Sequence, residues 1–158
     1  QSFNMTITTF VGQNIGAGKY KRVKQGIHSS WAMCSAIILV GAVFMNLNAE
    51  PLVRIFTSDA DVIRLGGQML RLFTFFYISL PVIQILNGAL RGAGCSKVPM
   101  YFMLGCFVVL RQIYLAIAVP RTNDLLVVIA GWPLTWVVCA IGMFCYYKKA
   151  NWLPKEAE

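Results

Sequence analysis

The stretch Gly12-Gln-Asn-Ile-Gly-Ala-Gly-Lys19 sets three glycines ahead of a lysine. In a nucleotide-binding protein such a loop would wrap backbone N–H groups around a phosphate. The spacing forbids it here. A phosphate loop needs G-x-x-x-x-G-K-[ST], but Gln13 stands five before Gly18 and Tyr20 follows Lys19. The dinucleotide pattern G-x-G-x-x-G fails as well, because Lys21 occupies the third glycine position. What remains is a glycine-punctuated helix end running into a basic turn. Asn87-Gly-Ala-Leu-Arg-Gly-Ala-Gly-Cys-Ser-Lys97 repeats the theme. Gly88 and Gly92 form G-x-x-x-G, which lets helices approach closely. Gly92 and Gly94 can end a helix in the left-handed conformation. Arg91 immediately precedes Gly92, and Pro99 suits the start of the next helix.

Two further features could do chemistry. Arg111 is the one charge in an apolar stretch, about 18 Å along a helix from Pro99. Centring an arginine in lipid costs about 2.5–3.5 kcal/mol. Such a charge normally faces protein or a wet cavity; the alternative is that it snorkels outward toward Pro120. No acid in the apolar blocks can pair with it, so its partner is a substrate, a backbone carbonyl or a residue elsewhere. The second feature is a stripe at three- and four-residue spacing: Tyr77, Pro81, Gln84, Asn87 and Arg91. It reads equally as the lining of a pathway or as interhelical hydrogen bonding. There is no acid pair, no Ser/His/Asp set and no metal cluster in these blocks. His28 is the only histidine, and the five cysteines show no C-x-x-C pair. The chain does not read as an enzyme, and no bound cofactor or metal is expected.

These residues must be positioned by membrane helices. The chain has 158 residues, 58% hydrophobic and 13% charged, against about 25% charged in soluble domains. Its mean hydropathy is +0.64. The apolar residues lie in blocks of about twenty, the length that crosses a bilayer. Four full spans are expected at residues 27–47, 72–90, 100–119 and 125–147, with Pro81 and Pro133 as helix kinks. Residues 1–11 read as the end of a truncated span, because a helix that stopped midway would leave backbone groups orphaned in lipid. Sequence upstream of Gln1 is therefore expected. Residues 12–26 read as a basic loop, residues 51–56 as a short interfacial segment, and Thr57-Ser58-Asp59 as a helix start. The net charge of +8 is distributed unevenly. Nine basic residues fall on one side of the spans (residues 19–24, 91–97 and 148–155) and four on the other (Arg54, Arg64, Arg71 and Arg121). That asymmetry puts the 12–26 loop, the 91–99 loop and the 148–158 tail in the cytoplasm. It explains the excess charge without nucleic acid, which would need basic residues interleaved with exposed aromatics.

Val11-Gly-Gln-Asn-Ile-Gly-Ala-Gly-Lys-Tyr-Lys-Arg22 resembles the G-Q-x-x-G-A-G loop after the second helix of each six-helix lobe in the multidrug and toxic compound extrusion (MATE) family. Leu86-Asn-Gly-Ala-Leu-Arg-Gly-Ala-Gly-Cys-Ser-Lys-Val-Pro99 resembles the R-G-x-G-x-x-x-x-P loop after the fourth. The shared positions are Gly12, Gln13, Gly16 and Gly18 in the first, and Arg91, Gly92, Gly94 and Pro99 in the second, with Gly88 just upstream. The resemblance implies an all-α polytopic bundle corresponding to an incomplete second lobe, from the end of helix eight through helix twelve. It implies an N-terminal lobe on the same chain, a small-molecule substrate, and a place in the cell (inner) membrane. Export of drugs or other amphipathic compounds would be driven by Na⁺ or H⁺. Some members carry a coupling acid in helix ten; residues 72–90 hold none, so the coupling site is expected outside this chain. Arg111, Tyr77, Gln84 and Asn87 are the candidates for the substrate pathway. The alternatives are a lipid-linked oligosaccharide flippase of the same superfamily, which should line its lobe with more cations, and a non-transporting membrane scaffold or decayed half-gene.

Overall fold

The computed structural model describes residues 2–121, 125–150 and 152–153. Gln1, Asp124 and the tail from residue 154 lie outside the described residues. The chain is an all-α polytopic bundle: α1 (Ser2–Gly16), α2 (Tyr20–Leu47), α3 (Ala49–Arg54), α4 (Ala60–Phe76), α5 (Leu80–Gly92), α6 (Lys97–Met103), α7 (Arg111–Ala118) and α8 (Leu125–Lys149). Four stretches are long and apolar enough to cross a membrane: Tyr20–Leu47, Ala60–Gly92, Lys97–Ala118 and Leu125–Lys149.

α5 is the hub. Pro81, Ile83 and every residue from Ile85 to Leu90 are buried, so most of this helix is enclosed by its neighbours. α1, α2, α6 and α8 pack against it. α2 is the opposite case. Met33, Ile37, Val40, Phe44 and Leu47 recur every three or four residues and are all exposed, Leu47 at 77%. An apolar stripe of that length facing outward suits lipid contact.

Helix ends depart from the hydropathy reading in a consistent way. The basic stretch expected as a loop over residues 12–26 is mostly helix: α1 runs on to Gly16, and α2 starts at Tyr20. The span expected at 72–90 belongs to a run of 33 residues, Ala60–Gly92. At about 1.5 Å per residue that run is near 50 Å, longer than the hydrocarbon layer. Hydropathy marks where a helix enters lipid, while the hydrogen-bond ladder continues into the interface. The start at Asp59 lies where the sequence puts it. Its carboxylate accepts from the backbone N–H of Asp61 at 2.9 Å and of Val62 at 3.3 Å, which satisfies two orphan donors of α4. Residues 51–54 of the 51–56 segment lie in α3, and Ile55 and Phe56 form the turn after it; α3 packs on α4 and is tied to it by Arg71 and Glu50 at 3.3 Å.

Two spans are not uniform helices. Tyr77–Ser79 is a 3₁₀ turn between α4 and α5. Pro81 has no N–H to give the carbonyl of Tyr77; the N–H of Leu80 donates to that carbonyl instead, closing the tighter turn. Between α6 and α7, Leu104–Leu110 is a π-helical segment of seven residues. Pro133 lies inside α8, which continues through it. Beyond α8 the chain turns back. Trp152 is buried, and its indole N–H donates to the carbonyl of Tyr147 at 3.2 Å.

Candidate functional site

The two glycine motifs end their helices in the same way. At the end of α1, Lys19 N–H donates to the carbonyl of Asn14 (2.8 Å) and Gly18 N–H to that of Ile15 (2.9 Å). At the end of α5, Cys95 N–H donates to Leu90 (2.8 Å) and Gly94 N–H to Arg91 (3.0 Å). Both are Schellman terminations, which need a left-handed residue at the turn. Gly18 (φ 68°) and Gly94 (φ 82°) supply it. Gln13, Gly16 and Arg91 are exposed or only partly covered, while Pro99 is buried in the first turn of α6.

The motifs also meet. Gly88 and Gly92 of α5 lie against the backbone of α1. A Cβ on Gly88 would fall 2.5 Å from the carbonyl oxygen of Asn4, and one on Gly92 would run into the carbonyl oxygen of Thr8. A Cβ on Gly12 would touch the carbonyl oxygen of Gly92 at 3.4 Å. The close approach allows polar bonding across the seam. The Asn4 amide N–H donates to the carbonyl of Gln84 at 2.9 Å. The Thr8 hydroxyl lies 2.7 Å from the Asn4 carbonyl and 3.1 Å from that of Gly88, so two acceptors share its one proton.

The four pathway candidates fall into two groups. Gln84 belongs to the α1–α5 seam. Asn87, 4% exposed, faces α6, and its amide donates to the thioether sulfur of Met103 at 2.9 Å. Its carbonyl oxygen Oδ1 is buried without a hydrogen-bond partner, an arrangement that costs about 1–3 kcal/mol in desolvation.

Arg111 and Tyr77 belong to an aromatic chain. The guanidinium carbon of Arg111 sits 3.3 Å from the centroid of the Trp132 ring on α8. Both residues lie seven positions from the same end of their spans, so the pair is about 10 Å in from that end. Trp132 lies 6.5 Å from Trp136, and Trp136 lies 5.6 Å from Tyr77 and 5.8 Å from Phe73. Trp132 is 41% exposed and Arg111 half-buried, so the contact gains about 0.5–2 kcal/mol, which offsets part of the cost of placing the charge in lipid. The sequence named Arg111 but not this partner. The signal was there: Trp132 and Trp136 stand four residues apart in an apolar span, on one helix face. Gly131 makes room beside them for Tyr114, whose hydroxyl donates to the carbonyl of Val127 at 2.6 Å and ties α7 to α8.

Among the described residues no group of three or more His, Cys, Asp or Glu could hold a metal ion. Glu50, Asp59 and Asp61 all lie on or beside α3 and the start of α4, and the ion pairs among the described residues, Arg64–Asp61 and Arg71–Glu50, do not include Arg111.

Known proteins place this architecture. Residues 1–117 match the family MatE. A probable multidrug resistance protein NorM of Thermotoga maritima is 33% identical over 97 residues, 61% of this chain and 21% of that protein. A probable multidrug resistance protein YpnP of Bacillus subtilis is 29% identical over 146 residues, 92% of this chain and 33% of that protein. Human multidrug and toxin extrusion protein 2 is 31% identical over 84 residues, 53% of this chain and 14% of that protein. The chain thus spans a third or less of the length of these relatives. With the family matched over most of its residues and four membrane-length helices in the fold, this chain is a multi-pass membrane protein belonging to the multidrug and toxic compound extrusion (MatE) family.

Proposed function

We propose that this chain forms part of the second lobe of a cation-coupled antiporter, which exports drugs or other amphipathic organic compounds by alternating access. The observation that carries the proposal is Arg111, half-buried against the exposed ring of Trp132 at the head of a chain of rings through Trp136 to Tyr77. Flat π faces beside a fixed donor suit planar compounds with one polar group. Gln84 and Asn87 serve the lobe from within, Gln84 by joining α5 to α1 and Asn87 by offering a buried carbonyl oxygen. The names of the relatives, multidrug resistance and extrusion proteins, support the substrate class.

The coupling ion, Na⁺ or H⁺, is cargo bound elsewhere in the transporter, where the N-terminal lobe supplies the acid: residues 72–90 hold no acid, and no described carboxylate pairs with Arg111. The protein sits in the cell (inner) membrane with its C-terminal end in the cytoplasm. The nine-to-four distribution of basic residues supports that orientation.

The test is efflux of a fluorescent cationic dye from cells expressing the protein at its full natural length. Arg111→Ala should lower the efflux rate several-fold at equal membrane expression, and Arg111→Lys, which keeps the charge, should retain part of it. Efflux unchanged by Arg111→Ala removes Arg111 from the mechanism.

A further inference from the structure

A groove of about 380 Å³ opens between α2, α5 and α8. Its floor is apolar: Ile27, Ile85 and Leu86 are each no more than 5% exposed. Trp31 and Phe144, both exposed, also line it. The remaining character is basic. Lys24 on α2 and Lys148 on α8 line the same groove, so the basic ends of two helices converge on it. The Lys148 ammonium stands 5.3 Å from the centroid of the Phe144 ring, and His28 stacks on Trp31 at 6.0 Å with an 18° interplanar angle.

The two lysines lack a carboxylate partner among the described residues. The ion pairs found there are Arg64 with Asp61 and Arg71 with Glu50, both involving α4. An apolar trough with cations unpaired among the described residues and aromatic rings beside them has the character of the membrane interface. Basic pockets between membrane helices bind lipid head groups.

We propose that this groove binds an anionic phospholipid, its acyl chain along the Ile27–Ile85–Leu86 floor and its phosphate between Lys24 and Lys148. Charge decides the ligand class. A zwitterionic lipid would carry its own cation into a site that already has two, and a free phosphate would leave the apolar floor unused.

The experiment uses the protein at its full natural length, purified in detergent and stripped of lipid. It is titrated with phosphatidylglycerol, with phosphatidylcholine of the same acyl chains, and with inorganic phosphate, and bound lipid is counted by native mass spectrometry. Phosphatidylglycerol should bind at least tenfold more tightly than phosphatidylcholine, and phosphate should not compete. Replacing both cations, Lys24→Gln with Lys148→Gln, should weaken phosphatidylglycerol binding roughly thirtyfold and leave phosphatidylcholine unchanged. Both lysines are exposed, so the variant keeps its core. Val82→Trp, which fills the groove, should weaken both lipids. A photoactivatable phosphatidylglycerol should label residues 24–31 or 144–148. Equal binding of the two lipids, or undiminished phosphatidylglycerol binding in the double lysine variant, overturns the proposal. Competition by phosphate overturns it in favour of a free-anion site. Labelling absent from both segments overturns it in favour of another part of the protein filling the groove.

Discussion

Replacing Gly88 by alanine tests the α1–α5 seam. Ordinary van der Waals contact begins at 3.4 Å, and the new Cβ would stand 2.5 Å from the Asn4 carbonyl oxygen. The shortfall is about 1 Å. The obstructing atom belongs to a helix backbone and cannot swing aside as a side chain would, so α1 and α5 must separate. Overpacking of this kind costs about 1–3 kcal/mol. Separation also stretches the Thr8–Gly88 contact from 3.1 Å and the Asn4–Gln84 bond from 2.9 Å, each worth about 0.6 kcal/mol between membrane helices. Against this, alanine improves helix propensity by about 1 kcal/mol. The balance is a loss of about 2 kcal/mol, or a fall in melting temperature of roughly 4–8 °C. Thermal unfolding of the purified protein, followed by tryptophan fluorescence, measures it. Gly105→Ala is the internal control, because nothing lies within 4 Å of its Cβ position; its melting temperature should stay level or rise. A Gly88→Ala variant as stable as the Gly105→Ala control would refute the close approach of α1 and α5.

Asn87→Leu removes a buried amide whose oxygen has no partner, so it should leave the melting temperature level or raise it; a loss above about 2 kcal/mol would show that the amide is satisfied in the folded protein. Gly94→Val forces a β-branched residue to φ 82°, which should cost about 1–2 kcal/mol. The same substitution at Gly105, where φ is not positive, provides the comparison in the same unfolding assay.

The fold was legible in the sequence because bilayer-length apolar blocks leave few alternatives. The helix ends were less so. Polar residues such as Arg64, Gln68 and Arg71 continue α4, and nothing in hydropathy separates a helix leaving lipid from a helix that stops. Asp59 was readable because a capping side chain acts locally. The stripe from Tyr77 to Arg91 was only partly right, for a physical reason. It assumes one uniform period, but the 3₁₀ turn at Tyr77–Ser79 changes the register there. Tyr77 accordingly meets Trp136 of α8 while Gln84 meets Asn4 of α1. The π-helical segment does the same to Arg111: it resets the direction of every residue after Leu110, so the approach to Trp132 could not be projected from Pro99. The Gly88–Gly92 pair needed no long-range register, and its close packing was visible from spacing alone.

The same 3₁₀ turn has a mechanical consequence. It divides the Ala60–Gly92 run into two lengths with different attachments. The α5 length is bolted to α1 through glycine contacts and backbone-directed hydrogen bonds. The α4 length is tethered to α3 by Arg71 and Glu50 and leans on α8 through Phe73. Along the backbone, torque passes from one length to the other across three overwound residues, where the i to i−4 ladder is interrupted. The run therefore acts as a two-part shaft with a coupling at mid-length, and the π-helical segment gives the Lys97–Ala118 run an underwound coupling of its own.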